Sequence, residues 1–284
     1  MKFVSFRQGA RASWGVQLPD GVLDAGGLYP TLRDFIASAD FARRDERLSR
    51  KLPKLALQDI RYLPTIPNPE KIVCVVRNYL DHHQEAVSAG LQVTLAEFPP
   101  IFLRYARSQV GHGEPIIRPR VSVQLDYEGE LAVIIGKKGR HIAEADAMSH
   151  VVGYSVYNDA SIREYQFHAK QIAAGKNFDG TGGFGPCMVS TDEVPDPENL
   201  KLETRLNGEV MQSSATRHMI FKIPRLISYA SQIFELTPGD VIVTGTPAGV
   251  GFSRKPPIFM KHGDVVEVEI ENVGLLRNPI VNEA

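Results

Sequence analysis

Cysteine is scarce. The 284 residues hold only Cys74 and Cys187, far apart and outside any CxxC or Cys/His spacing, which argues against a disulfide framework and a structural zinc site. A surplus of charge is absent as well. Lys and Arg number 32 against 33 Asp and Glu, a formal charge of −1, so the chain lacks the basic excess that phosphate neutralisation asks of a nucleic-acid-binding domain. No apolar run approaches the roughly 18–20 residues of a membrane span. The opening MKFVSFRQGARASWG carries arginines where a signal peptide has its apolar stretch. These absences predict a cytoplasmic protein that binds neither nucleic acid nor membrane.

What is present is a globular composition, 43% hydrophobic with 24 Gly and 19 Pro. Residues 1–63 read as a small N-terminal α+β domain. Strands are expected at 2–7, 13–18 and 22–25, with a turn at Asp20-Gly21. Thr31 is placed to cap a helix that sets Leu32, Phe35 and Ile36 on one face. The charged ARRDERLSRK that follows reads as a solvated helix face. Pro64, Pro67 and Pro69 then make a stiff connector, taken as the boundary.

Residues 70–284 are dominated by β-branched runs bounded by Gly, Pro, Asn or Asp, such as KIVCVV, ELAVIIG, VVGYSVYN and DVIVTGTP. Helices are expected only after Asn78, over 160–173 and over 223–234. Without regular strand–helix alternation a doubly wound parallel sheet is disfavoured. The expected class is mainly β (α+β), a mixed body with a few helices at its rim.

The most informative stretch is QLDYEGELAVIIG, 124–136. In a strand Asp126, Glu128 and Glu130 share a face, and the unalternating run 131–135 predicts a strand covered on both sides. Carboxylates entering a covered sheet repel one another and lose hydration, unless positive charge compensates them. A hard divalent cation does so with oxygen ligands. DVVEVEIEN provides a contrast. There Glu267, Glu269 and Glu271 alternate cleanly with Val266, Val268 and Ile270, the pattern of an ordinary half-solvated strand. Asp159, closing VVGYSVYND, is the candidate third ligand, although its local pattern fits a helix N-cap equally well.

His82 and Glu85 stand at i, i+3, so on a helix they share a face and can hydrogen-bond. Asp81 is a suitable N-cap for that helix and Gly90 a suitable stop. The loop over 90–99 is long enough to let the element open and close over a ligand. A carboxylate on one imidazole nitrogen orients the ring and leaves the other free to take a proton. TGTPAGVG, 244–251, lacks the spacing and lysine of a phosphate-binding loop. It reads as a tight turn offering backbone N–H groups to a carboxylate.

In this order RNYLDHHQE (77–85), Glu128-Gly129-Glu130, Asp159, Lys176 in GKNFD, TGTPAGVG and GLLRNPIV resemble the fumarylacetoacetate hydrolase family, acylpyruvase type, over roughly 70–281. The resemblance implies a mixed β-roll of packed sheets, a homodimer, and an active site at one mouth. It implies Mg²⁺ or Mn²⁺ held by Glu128, Glu130 and Asp159, and Lys176 near the substrate oxygens. His82 and Glu85 become a water-activating pair on a mobile lid helix. Arg77, Tyr79, Arg163, Gln166 and Thr246 become substrate contacts. The partner is a small 2-oxo or 2,4-diketo acid.

The leading expectation is hydrolysis of a C–C bond in an acylpyruvate-like or fumarylpyruvate-like diketo acid, releasing pyruvate and a carboxylic acid. The alternative is a 2-oxo-acid decarboxylase or a keto–enol or double-bond isomerase at the same site. A third reading is a metal-binding module without catalysis. The chain departs from the family pattern at Glu164, where Asp is usual, in a longer loop after the lid pair, and in FLRYARS. The last departure suggests that Arg104, Tyr105 and His112 line a different pocket.

Overall fold

The computed structural model describes residues 1–48, 51–88, 90 and 94–284. Its organising element is the strand Gly129–Ile135, buried at every position. Because successive side chains leave a strand on opposite faces, this one feeds two cores. Leu131, Val133 and Ile135 join a cluster with Tyr154, Val156, Val268 and Leu276. Ala132 and Ile134 join Phe3, Trp14, Phe35 and Val243 on the other side. The covered central strand expected from 131–135 is therefore present.

Among the described residues a twelve-stranded sheet forms the body. Gly129–Ile135 lies in it between Val151–Asn158 and Val241–Val243, both antiparallel to it. The sheet is mixed, since Val241–Val243 runs parallel to Ile72–Val75. A five-stranded sheet built around Val265–Ile270 and Gly274–Asn282 packs against Gly129–Ile135, Val151–Asn158 and Gly182–Ser190. The result is the mostly β architecture of packed sheets expected, with few helices, and Leu125–Asp126 pairs with Ser161–Ile162 beside it. In Val265–Ile270, Val266, Val268 and Ile270 point inward while Glu267 and Glu269 pair with Arg205, the ordinary strand their spacing predicts.

Residues 1–63 do not close a sheet of their own. Lys2–Gln8 pairs antiparallel with Gly182–Ser190, and Trp14 and Phe35 bury against Ile134 and Tyr157. Thr31 caps Leu32–Ala37, its side chain accepting from Asp34 N at 3.2 Å. The charged stretch forms the helix Arg44–Leu48, and its Ser49 and Arg50 lie outside the described residues.

Two helices differ from expectation. The one expected over 160–173 is a single turn, Arg163–Gln166, followed by a 3-10 turn at Ile172–Lys176. Packing overrides helix propensity here. A Cβ on Gly175 would come within 2.5 Å of Gln166 N, so only glycine lets the second turn close onto the first and bring Lys176 inward. In Leu80–Ser88, Asp81 sits inside the first turn instead of capping it. Gly90 does end the element, with φ at +89° and its N–H on Val87 O. Residues 89 and 91–93 lie outside the described residues, so the loop expected over 90–99 is described only in part.

A shared core predicts shared unfolding. In urea, the fluorescence of Trp14, the only tryptophan, and the far-UV circular dichroism should change together. Ile134→Ala should cost about 3 kcal/mol. A Trp14 transition at lower urea than the dichroism would mean that residues 1–63 unfold independently.

Candidate active site

Strand register assembles the acidic cluster. Gly129 faces Asn158 and Glu130 faces Tyr157 across the antiparallel pair, so the start of one strand meets the end of the other. Asp159 N donates to Glu128 O at 2.8 Å, extending the ladder by one step. Glu128 and Glu130, two residues apart, share a face. Oxygens of Glu128, Glu130 and Asp159 all lie within 4.8 Å of one another, and all three residues are buried. Asp159 does not cap the short helix, whose N-cap is Ile162. Asp126 breaks from the expected ladder, because pairing stops between Leu125–Asp126 and Gly129–Ile135. Its carboxylate instead accepts from Gly251 N and Phe252 N, each at 2.8 Å, and from Arg163.

Three buried cations answer these acids. Lys176 Nζ bridges Glu128 Oε2 and Asp159 Oδ2, each at 2.6 Å. Arg163 Nη1 lies 2.6 Å from Glu128 Oε1, and Arg163 Nε donates to Asp126 Oδ2 at 2.8 Å. Arg104 Nη1 donates to Asp159 Oδ1 at 2.5 Å from behind the cluster. Burial alone would raise the Glu128 carboxyl, but Lys176 and Arg163 outweigh it and hold the group at about 2.

Glu130 is the exception. Among the described residues its carboxylate accepts one hydrogen bond, from Gly245 N at 2.5 Å, and meets no cation within ion-pair distance. Burial first, then Asp159 and Glu128, push its pKa well above the usual carboxylate range. Four buried acids thus face three buried cations, and Glu130 is the acid without a cationic partner among the described residues. An all-oxygen set with that deficit fits a hard divalent cation such as Mg²⁺ or Mn²⁺.

The turn at 244–251 offers N–H groups to carboxylates, as its sequence suggests, but to the protein's own. Gly245 serves Glu130, Gly251 serves Asp126, and Gly249 N donates to Glu85 Oε1 at 2.9 Å. Gly249 has φ at +102°, and a Cβ there would meet Met211 O at 2.2 Å. Glu85 Oε2 in turn lies 2.9 Å from His82 Nδ1, so one carboxylate ties the imidazole to the turn. The remaining nitrogen, Nε2, is left for proton exchange.

A cavity of about 140 Å³ lies over this cluster. Arg77, His82, Glu128, Glu130, Asp159, Arg163, Gln166, Lys176 and Thr246 line it, with Val75, Phe102 and Phe252 among its apolar walls. Glu85 stands behind His82. Tyr79 does not belong. It precedes the helix Leu80–Ser88, bridges to Met219 through its backbone, and is fully buried in the larger core, absent from the lining. Arg163 and Thr246 line the cavity but are already engaged. Thr246 Oγ1 donates to Gly129 O and accepts from Gln212 Nε2, both at 2.9 Å.

Arg104 supports the triad instead of lining a separate pocket. Tyr105 is 71% exposed and His112 packs edge-on against Tyr62, so neither joins it there. Buried Gln212 carries no motif signal, and buried Asn78 lies inside RNYLDHHQE without a predicted role, yet both fix the site. Gln212 links Gly129 to the 244–251 turn. Asn78 ties the start of the lid segment to Thr244 O. The sequence marks Arg104 only as a departure in FLRYARS; its hold on Asp159 from the end of Ile101–Arg104 appears only in the folded chain.

Comparison with known proteins follows the same residues. The model for the C-terminal region of fumarylacetoacetate hydrolase matches 71–281. A mitochondrial oxaloacetate tautomerase of Xenopus laevis is 42% identical over 293 residues, covering 99% of this chain and 90% of the relative. A fumarylacetoacetate hydrolase structure from Exiguobacterium antarcticum matches at a TM-score of 0.83 and 35% identity, with both chains fully covered. A maleylpyruvate hydrolase from Sphingobium, solved with manganese(II) and pyruvate, matches at 0.82 and 27% with the same coverage. No helix among the described residues is long and apolar enough to cross a membrane.

Calorimetric titration with Mn²⁺ should give one site in the wild-type protein and at least about a tenfold loss of affinity in Glu130→Ala. Saturating metal at about 100 times its Kd should add about 2.7 kcal/mol of stability. An unchanged isotherm in Glu130→Ala would remove the triad as a cation site.

Proposed function

The chain belongs to the fumarylacetoacetate hydrolase family, and on that premise we propose that it is a divalent-metal-dependent keto–enol tautomerase of a 2-oxo acid of the oxaloacetate type. The site geometry alone serves several enolate chemistries. The observation that carries the choice is the likeness, along nearly the whole chain, to a relative named as an oxaloacetate tautomerase. This moves the weight from C–C hydrolysis, the leading sequence expectation, to its alternative.

Tautomerisation moves one proton between C3 and the oxygen on C2. Glu128, Glu130 and Asp159 would hold the metal, which supplies Lewis-acid stabilisation of negative charge on that oxygen. The protein's own residues handle the proton. His82 Nε2 takes it from C3 while Glu85, on Nδ1, stabilises the imidazolium that forms. The same nitrogen then delivers the proton to the C2 oxygen, and the reverse sequence regenerates the ketone. No net proton is gained or lost. Lys176 keeps positive charge beside the reacting oxygens, its ammonium fixed by Glu128 and Asp159. Phe102, Val250 and Phe252 exclude water from one side of the cavity.

One observation keeps hydrolysis as the second reading. The His82–Glu85 pair that can exchange a carbon-bound proton can also take one from water, and a maleylpyruvate hydrolase shares the fold.

Absorbance separates the two. Oxaloacetate dissolved as its enol should lose enol absorbance faster with the Mg²⁺-loaded protein, with no pyruvate formed, while acetylpyruvate should persist. His82→Ala should slow the tautomerisation by about 10²–10⁴-fold. Release of pyruvate from acetylpyruvate at a comparable rate would select the hydrolase instead, and release from oxaloacetate would select the decarboxylase.

A further inference from the structure

The cationic side chains that line the cavity are not equivalent. Lys176 is held by Glu128 and Asp159, and Arg163 by Asp126 and Glu128. Arg77 is different. It lines the same cavity, half-buried, yet among the described residues its guanidinium forms neither an ion pair nor a hydrogen bond. Burial lowers its pKa, and no acidic neighbour offsets that effect. A guanidinium removed from part of its water without a carboxylate in return is an uncommon arrangement. Five N–H donors in a planar fork are left without an internal partner among the described residues, on a residue that lines this cavity.

The backbone supports the same view. Arg77 has φ at +50°, the left-handed region that residues other than glycine seldom occupy. It stands between Ile72–Val75 and Leu80–Ser88, at the point where the chain leaves the sheet for the lid helix. Asn78 pins the next residue by accepting from Phe221 N at 2.7 Å and donating to Thr244 O at 2.8 Å. A strained residue locked by its neighbour gives the guanidinium a fixed origin at the cavity wall.

We propose that Arg77 is the specificity-determining counter-ion for a second carboxylate on the substrate, so that the site selects 2-oxo dicarboxylates over 2-oxo monocarboxylates. The inference rests on the tautomerase reading for the 2-oxo end of the molecule, which belongs with the acidic triad. The far carboxylate then meets Arg77 in a bidentate, charge-assisted pair, the geometry for which arginine is suited and lysine is not. An acyl or alkyl group in that place would leave the buried guanidinium without a partner. Rejection of the monocarboxylate follows from that unsatisfied group as much as from the ion pair it fails to form.

Oxaloacetate and pyruvate differ by this one carboxylate, and their equilibrium binding to the Mg²⁺-saturated protein tests the assignment by calorimetry. Wild type should bind oxaloacetate at least about tenfold more tightly than pyruvate. Arg77→Met, which keeps an unbranched stem, should weaken oxaloacetate by about 10–100-fold and leave pyruvate within about threefold. Arg77→Lys should fall between the two, because it keeps the charge and loses the fork. Thermal melts of both variants check folding. An oxaloacetate preference that survives in Arg77→Met overturns the proposal, and so does an equal loss of both ligands in a variant that melts like wild type. Binding is read apart from turnover. A protein that prefers oxaloacetate through Arg77 yet leaves the enol decay unaccelerated would sink the tautomerase reading alone.

Discussion

Everything at the mouth of this sheet depends on placing four carboxylates and three cations in one buried cluster with one of the acids unpaired. Such clusters contribute little net stability, because desolvation cancels most of the Coulomb gain. Breaking one is another matter, since a stranded buried charge costs about 3–5 kcal/mol. Arg104 therefore matters as much as the residues that line the cavity. It holds Asp159 from the far side and donates to Ala160 O and Thr181 Oγ1 as well. Those hydrogen bonds fix one of the three acids before any ligand arrives. The acid left without a cation is Glu130, which among the described residues a single backbone N–H supports. Preorganisation of this kind is what makes a site bind a hard cation at a fixed spacing.

The second constraint is the turn at 244–251, which couples the lid to the acids. Its N–H groups reach Glu130, Glu85 and Asp126, residues on the central strand, the lid helix and a short strand pair. The orientation of His82 is thus set through Glu85 by the same loop that supports Glu130. Gln212 braces this loop from the five-stranded sheet through Thr246 and Pro247. One turn thus holds Glu130 directly and His82 through Glu85.

Much of this was legible in the sequence wherever a spacing has one geometric meaning. The unalternating 131–135 run can be satisfied only by cover on both faces, and His82 and Glu85 at i, i+3 can meet only on a helix. Other features had no local signature. Asp126 shares parity with Glu128 and Glu130, but parity holds only while the strand continues, and the ladder is interrupted between Asp126 and Gly129. Tyr79 lies within the motif that carries the lid, and its burial is decided by packing that only the folded chain reveals. The union of residues 1–63 with the body is equally invisible. Lys2–Gln8 finds its partner in Gly182–Ser190, a pairing across some 180 residues that no local pattern encodes.

The metal-compatible triad and the His82–Glu85 pair are indifferent to what the substrate carries beyond its 2-oxo acid end. Stabilising an enolate is common to tautomerisation, decarboxylation and C–C cleavage, and one proton carrier can work on carbon or on water. Choice among those outcomes must therefore come from groups that touch the rest of the molecule. The described cavity offers few, since most of its polar side chains already have internal partners. A carboxylate at C4, next to the C3 that exchanges its proton, would be held there with no carbon–carbon bond cleaved, as a tautomerase needs. A hydrolase must instead set a carbonyl there for attack by water. On this reading the group that meets the far end of the substrate, rather than the acids that would hold the metal, would decide between the two chemistries on one scaffold.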